Sequence, residues 1–244
     1  MAKKDEIEHI ETVSRVDNID PAVFKKYLKD KPFSDPEMAR YLTDMAQILN
    51  LLPKPPANIL DMGVGSGWTS YFFAKKGYDV LGIDISPDMI AIAKEGLTSS
   101  LSLTFEVCDY EKIKYANTYD CVVFYDSLHH CDDQELVLRK AFEALKPNGM
   151  LLCIEPGKGH SESAQSKKVV EKYGTTEKDM PFCVVHNLLR ESGFTKIHQY
   201  PRLSMLAIED IHSPIGPYRM IQNFTGLIYE TKENGLTSVI QAIK

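Results

Sequence analysis

The chain has no run of about 18 consecutive apolar residues, so nothing in it reads as a membrane-spanning helix. Its opening residues, MAKKDEIEHIE, are charged and lack the apolar centre of a signal peptide, which points to a cytoplasmic location. Long Lys/Arg runs are missing too, and with a net charge of −6 the electrostatic footprint of a nucleic-acid binder is not there. There is no C-x-x-C pair. Three of the five cysteines (Cys108, Cys121 and Cys153) fall in strand-like runs, so buried thiols are expected rather than disulfides or zinc ligands. Internal repeats and low-complexity segments are also absent. What remains, at 43% hydrophobic and 25% charged over 244 residues, is the composition of a globular α/β protein with one sizeable core.

The stretch that organises the chain is ILDMGVGSGW, residues 59 to 68. There an apolar run stops at Asp61 and opens into Gly63, Gly65 and Gly67 before a helical pattern begins. Glycines at every second position let the backbone turn with positive φ and let a ligand approach main-chain atoms closely. A dinucleotide fingerprint, G-x-G-x-x-G/A, needs a third small residue where the helix packs on the strand. Trp68 stands at that position, which counts against a nicotinamide dinucleotide.

The flanking pattern is a βαβ series. Residues 1 to 33 are polar, with Phe24, Tyr27, Leu28 and Phe33 able to dock a short helix. Ser34 and Glu37 have capping-box spacing before a helix whose apolar face runs from Met38 to Leu52. PKPP at 53 to 56 ends that helix, and the first strand follows at Asn58 to Met62. A helix from about Ser66 to Lys76 leads to the strand YDVLGID, ending on Asp84. Ser86, Pro87 and Asp88 open the next helix with a cap, a proline and an acid in the first turn. LSLTFEV and YDCVVFY supply strands three and four, a helix covers Gln134 to Leu145, KPNG makes a turn, and GMLLCIE is the fifth strand. After a long polar loop, helices are expected near 166 to 173 and at Pro181 to Glu191, with strands near 194 to 200 and 224 to 231 as an antiparallel pair. The expected fold is a single doubly wound, mostly parallel seven-stranded sheet. Residues 1–52 form an N-terminal helical cap, 57–155 the ligand-binding core, and 156–244 the substrate-side loops and last strands.

In an open parallel sheet, ligands bind outside the carboxyl ends of the strands. Those ends carry Asp61, Asp84, Asp109, Tyr125 with Asp126, and Glu155. Three acids at the first three strand ends suit a ligand rich in hydroxyl and amino donors and would repel a pyrophosphate. In residues and in order, the segment from about 36 to 155 resembles the class I methyltransferases that use S-adenosylmethionine, in particular their small-molecule group with an LHH loop. The resemblance implies a Rossmann-like fold with a reversed last strand. It also implies S-adenosylmethionine as cofactor, leaving S-adenosylhomocysteine as product. By resemblance, Gly63, Gly65 and Gly67 approach the methionine part, and Asp61 orders the loop and the amino group. Asp84 accepts the ribose hydroxyls, Ile85 packs on the adenine, Asp109 accepts from the adenine amino group, and Tyr110 and Tyr125 complete the set.

Methyl transfer needs alignment and a dry site, with a general base if the acceptor is a hydroxyl. His129 and His130 are the catalytic candidates, with Glu155 and His160 beyond the fifth strand. No ligand pair among His129, His130, Cys131, Glu155 and His160 has familiar metal spacing, so no metal is expected. Candidates for the acceptor pocket are Tyr27, Phe33, Tyr173, Phe182, His212, Tyr218 and Arg219. The reading is a small-molecule O-, N- or C-methyltransferase with no nucleic-acid or membrane partner. Its rivals are a non-catalytic S-adenosylmethionine-binding partner protein and an NAD-dependent dehydrogenase.

Overall fold

A computed structural model describes residues 2–205 and 238–244. Seven strands form one sheet: β1 (Asn58–Met62), β2 (Asp79–Asp84), β3 (Leu103–Val107), β4 (Tyr119–Tyr125), β5 (Leu145–Ile154), β6 (Lys196–Pro201) and β7 (Ser238–Ile243). Their order is β3-β2-β1-β4-β5-β7-β6. The first five are parallel, and β7 runs antiparallel to both β5 and β6. The reversed strand is thus present, but the partner of β6 is 238–243; the strand expected at 224–231 lies outside the described residues.

The helices are α1 (Ala2–Ile7), α2 (His9–Asp17), α3 (Pro21–Lys29), α4 (Met38–Leu51), α5 (Trp68–Lys76), α6 (Pro87–Glu95), α7 (Gln134–Ala144), α8 (Ala164–Tyr173) and α9 (Phe182–Glu191). They cover both faces of the sheet, and two apolar cores result. One, centred on Leu60, Val122, Leu138 and Leu189, lies under α7 and α9. The other, centred on Ile48, Ile59, Phe73 and Val123, lies under α4, α5 and α6. Strand β4 alternates its side chains between the two, as a period of two requires, so Cys121 to Tyr125 is an unbroken apolar run because both its faces are buried there, while Asp120 near its start is half-buried and paired with Lys146.

Three local expectations are corrected. Ser34 and Glu37 make no capping box: the Glu37 side chain caps nothing, Asp35 Oδ1 accepts from the Glu37 N–H at 2.9 Å, and the Ser34 hydroxyl donates to Tyr27 O. KPNG is not a turn before a strand. It lies within β5, where pairing jumps from Tyr119↔Leu145 to Cys121↔Met150, so the extra residues bulge out beside Asn148 at φ 63°. Of the cysteines, all unpaired, Cys121, Cys131 and Cys153 are buried, while Cys108 is half-buried and Cys183 exposed.

The glycine loop has a division of labour. Gly67 caps α5 at φ 81°, and a Cβ there would stand 2.6 Å from Phe105 and 2.9 Å from Ala93. Gly65, at φ 52°, faces open space. Gly67→Ala therefore loses stability through both strain and collision, by more than about 2 kcal/mol. Gly65→Ala loses about 1 kcal/mol from backbone conformation alone. Urea unfolding of the two variants checks the ranking, and equal losses would count against this packing.

Candidate active site

A cavity of about 420 Å³ opens at the carboxyl ends of β1, β2, β3 and β4. Asp61, Gly63, Gly65, Asp84, Ile85, Asp109, Tyr110, Tyr125 and His130 line it. Gly67 and His129 are set back from its wall.

Each acid has distinct work. Asp61 is buried at the start of α5, where its Oδ2 accepts from the Thr69 and Ser70 hydroxyls at 2.6 Å each. Burial pushes its carboxyl up to about 6 against those two donors. Asp61 thus ties β1 to α5. Asp84 accepts from the Gly65 and Ser86 N–H groups, one on each oxygen, at 2.8 Å. Burial raises its carboxyl and these backbone donors oppose the rise. Each oxygen keeps a lone pair, so the carboxylate can still receive two hydroxyl donors. At Asp109, burial raises the carboxyl but Lys3, the Glu111 N–H and Lys112 outweigh it and hold it below the usual range.

The other wall is aromatic. Trp68 packs edge-on against Tyr125 at 5.5 Å and Phe72 at 6.0 Å, with Tyr41 at 5.7 Å. Tyr125 donates its hydroxyl to Asp44 Oδ2 at 2.8 Å. The indole thus occupies the ground between the glycine loop and the end of β4.

Helices α1 and α2 roof the cavity with Lys3, Glu6 and His9, which no pattern in the sequence singled out. Lys3 reaches Asp109 at 3.1 Å and Glu111 at 2.6 Å, and Ser86 Oγ donates to Ile7 O at 3.1 Å. Ion pairs this exposed contribute at most about 1 kcal/mol each. The apolar anchor of the roof is a small cluster of Ile10, Leu28 and Ile92 packed by Phe24, Tyr27 and Met89. Burial pushes the Glu6 carboxyl up to about 7. Among the described residues His9 Nδ1 and Thr175 Oγ1 are buried with no hydrogen-bond partner, and both residues line the cavity. Unpartnered buried polar atoms on a cavity wall mark where a ligand's polar groups would be accepted.

The paired histidines separate. His129 is buried with Nδ1 2.6 Å from Glu155 Oε2, a carboxylate-held ring that does not line the cavity. His130 lines the cavity, and its Nδ1 lies 2.6 Å from Thr176 O. A carbonyl only accepts, so Nδ1 is the donor and Nε2 carries the lone pair. Burial, with His129 adjacent, pushes its pKa down to about 3, so the ring stays neutral and basic in form. Tyr27, Tyr173 and Phe182 are not on this cavity's wall. The Tyr27 hydroxyl donates to Asp35, that of Tyr173 to Asp17, and Phe182 packs on the core beneath α9. Phe33 is exposed. His212, Tyr218 and Arg219 lie outside the described residues.

Fold and site together define an α/β protein with a glycine loop at the first strand end and an acid at each of the first three, all opening on one ligand-sized cavity. Residues 59–149 match the family model described as a methyltransferase domain. Phosphoethanolamine N-methyltransferase 3 of Arabidopsis thaliana is 31% identical over 151 residues, covering 59% of this chain and 30% of that protein. The ubiquinone/menaquinone biosynthesis C-methyltransferase of Cellvibrio japonicus (strain Ueda107) is 32% identical over 111 residues, covering 43% of this chain and 45% of that one. The chain thus spans less than half the length of either relative. Among solved structures, Haemonchus contortus phosphoethanolamine N-methyltransferase 2 in complex with S-adenosyl-L-methionine superposes with a TM-score of 0.60 at 21% identity, over 84% of this chain and 52% of that chain. These matches support the class I S-adenosylmethionine-dependent methyltransferase family for residues 59–149, and the solved structure shows the same fold.

Proposed function

We propose that the protein transfers the methyl group of S-adenosylmethionine to a small-molecule acceptor. The observation that carries this reading is that Gly63, Gly65, Asp84, Asp109 and Tyr110, from three separate strand ends, line one cavity of about 420 Å³, within the size range of small-molecule sites. When bound, the cofactor supplies a sulfonium-activated methyl group. The open space beside Gly65 fits close approach of a ligand to the backbone, and the free lone pairs of Asp84 fit a diol. Asp109 suits an amino donor in place of Lys3.

The protein's own contribution is alignment and exclusion of water. Helices α1 and α2 cover the cavity, and His9, Thr175 and Glu6 offer polar partners to an acceptor. His130, neutral with Nε2 as its lone-pair nitrogen, can accept a hydrogen bond from an acceptor hydroxyl or ammonium, but with its pKa pushed down to about 3 it is too weak a base to take the proton, so alignment rather than base catalysis is its contribution. Relatives named as N- and C-methyltransferases share this segment, which supports the reaction class without choosing the atom methylated. Among the described residues no helix is long and apolar enough to cross a membrane.

Calorimetry and thermal melting with S-adenosylmethionine, S-adenosylhomocysteine and NAD test the reading. Binding of the two adenosyl sulfur compounds should raise apparent stability, by about 2.7 kcal/mol at a hundredfold excess over Kd, while NAD leaves it unchanged. Stabilisation by NAD alone would overturn it, because Trp68 would then not obstruct a dinucleotide.

A further inference from the structure

Beside the cavity, the loops after β4 and β5 and the segment before α9 bring together four groups far apart in sequence. Glu155, whose side chain is 1% exposed, accepts from the N–H groups of Ser127, Leu128 and His129 at 3.1, 2.8 and 3.2 Å. Held by three donors, it is a carboxylate, so His129 Nδ1, 2.6 Å away, is its fourth donor. In the neutral ring Nε2 then carries the lone pair. That lone pair is met by another acceptor: Glu177 Oε2 lies 3.6 Å from His129 Nε2. The same oxygen is 2.6 Å from His160 Nε2. The three ligand atoms, from His129, His160 and Glu177, lie within 4.8 Å of one another.

Two acceptors facing each other where the side chains are 5% and 9% exposed are unfavourable unless a cation stands between them. We propose that His129 Nε2, His160 Nε2 and a Glu177 carboxylate oxygen bind a divalent transition-metal ion of the zinc type, with Glu155 fixing the His129 tautomer. Two imidazoles and one carboxylate form a three-ligand set that leaves a fourth position open, as catalytic zinc sites do. Nitrogen donors favour zinc-type ions over magnesium or calcium, which take oxygen. A carboxylate on the far nitrogen of a ligating histidine is the usual support for such a ring. Glu177 lines the cavity next to Thr175, whose hydroxyl has no partner among the described residues, so the open position would take an oxygen or nitrogen of the acceptor. Metal binding itself does not depend on the methyl-transfer reading, because it is measured with neither cofactor nor acceptor present.

The test titrates the chelator-stripped full chain with Zn²⁺ and Co²⁺ by calorimetry and absorption. One equivalent should bind, and His160→Ala and Glu177→Gln should each weaken it by more than about a hundredfold, beyond the loss usual for a supporting residue. Bound cobalt should show nitrogen and oxygen ligation without a thiolate charge-transfer band, which exposed Cys183 would give. Because His160 is 31% exposed, its variant should retain the wild-type melting temperature without metal, which separates ligand loss from misfolding. Equal affinity in wild type and variants, or a thiolate band, would overturn the proposal. So would a wild-type chain that binds neither ion, in which case the cation between His129 and Glu177 is a proton.

Discussion

Asp84→Ala is expected to weaken S-adenosylhomocysteine binding by about 3 kcal/mol, roughly a hundredfold. The substitution removes a carboxylate with two kinds of work. It holds the glycine loop and the start of α6 through the Gly65 and Ser86 N–H groups, at 2.8 Å each, and it offers its remaining lone pairs to the cavity. Without it, two backbone donors lose their acceptor and the ligand's hydroxyls lose a charge-assisted partner, each a loss of about 1.5 kcal/mol or more. Asp84→Asn keeps one acceptor oxygen without the charge and should lose about tenfold. Isothermal calorimetry decides this; an affinity within threefold of wild type in the alanine variant would remove Asp84 from the site.

Arg202→Met should destabilise the fold by about 3–5 kcal/mol, the range for a buried charge left without its partner. Arg202 is 2% exposed and Asp44 fully buried. The guanidinium donates to Asp44 through Nε at 3.0 and 3.1 Å and through Nη2 at 2.6 Å, and stands 3.6 Å from Asp126 on the cavity wall. Asp44 also accepts from the Ser204 and Tyr125 hydroxyls. The cluster therefore clamps α4, the end of β4 and the chain after β6. Methionine preserves much of the volume, so the loss reports charge rather than packing, and the midpoint of thermal unfolding should fall by on the order of 10 °C. Adding Asp44→Asn should recover part of the loss, because it removes the stranded charge. A loss below about 1 kcal/mol in the single variant would mean that solvent reaches Asp44.

The same pair sets an acid limit. Burial raises the Asp44 carboxyl, but Arg202, Ser204 and Tyr125 outweigh it and hold it below its usual value. A carboxylate with a depressed pKa contributes stability that is fully present above its unfolded pKa, about 3.9, and lost as pH falls through the folded value. Asp61 acts in the opposite sense: raised to about 6, it binds a proton in the folded chain before the unfolded one does, so its contribution diminishes as pH climbs from about 4 to 6.

The βαβ series was legible in residue order because each element writes its own period. Strand β4 matches its expected span, Tyr119 to Tyr125, and the caps at Ser86 and Gly77 fall where the residue types place them. The cavity-lining residues Asp61, Gly63, Gly65, Asp84, Asp109 and Tyr125 could be listed for a related reason: in a parallel sheet every carboxyl end faces the same side, so local assignment of strands lists the cavity wall, whereas Ile85 and Tyr110 came from the family resemblance.

What the sequence by itself determined is therefore whatever depends on neighbours within a turn or a strand: the elements, the glycine loop and the acids at the strand ends. Only the tertiary structure decided which distant side chains meet. Asp44 and Arg202 are 158 residues apart, and Lys3 reaches Asp109 across 106. His129 turned from the cavity to Glu155 while His130, one residue on, stayed at its wall, a choice made by backbone donors converging on one carboxylate. The bulge that brings KPNG into β5 and the pairing of β7 between β5 and β6 are of the same kind. Periodicity records which face of an element is buried, but not against what, because the partner is chosen by packing of the whole chain.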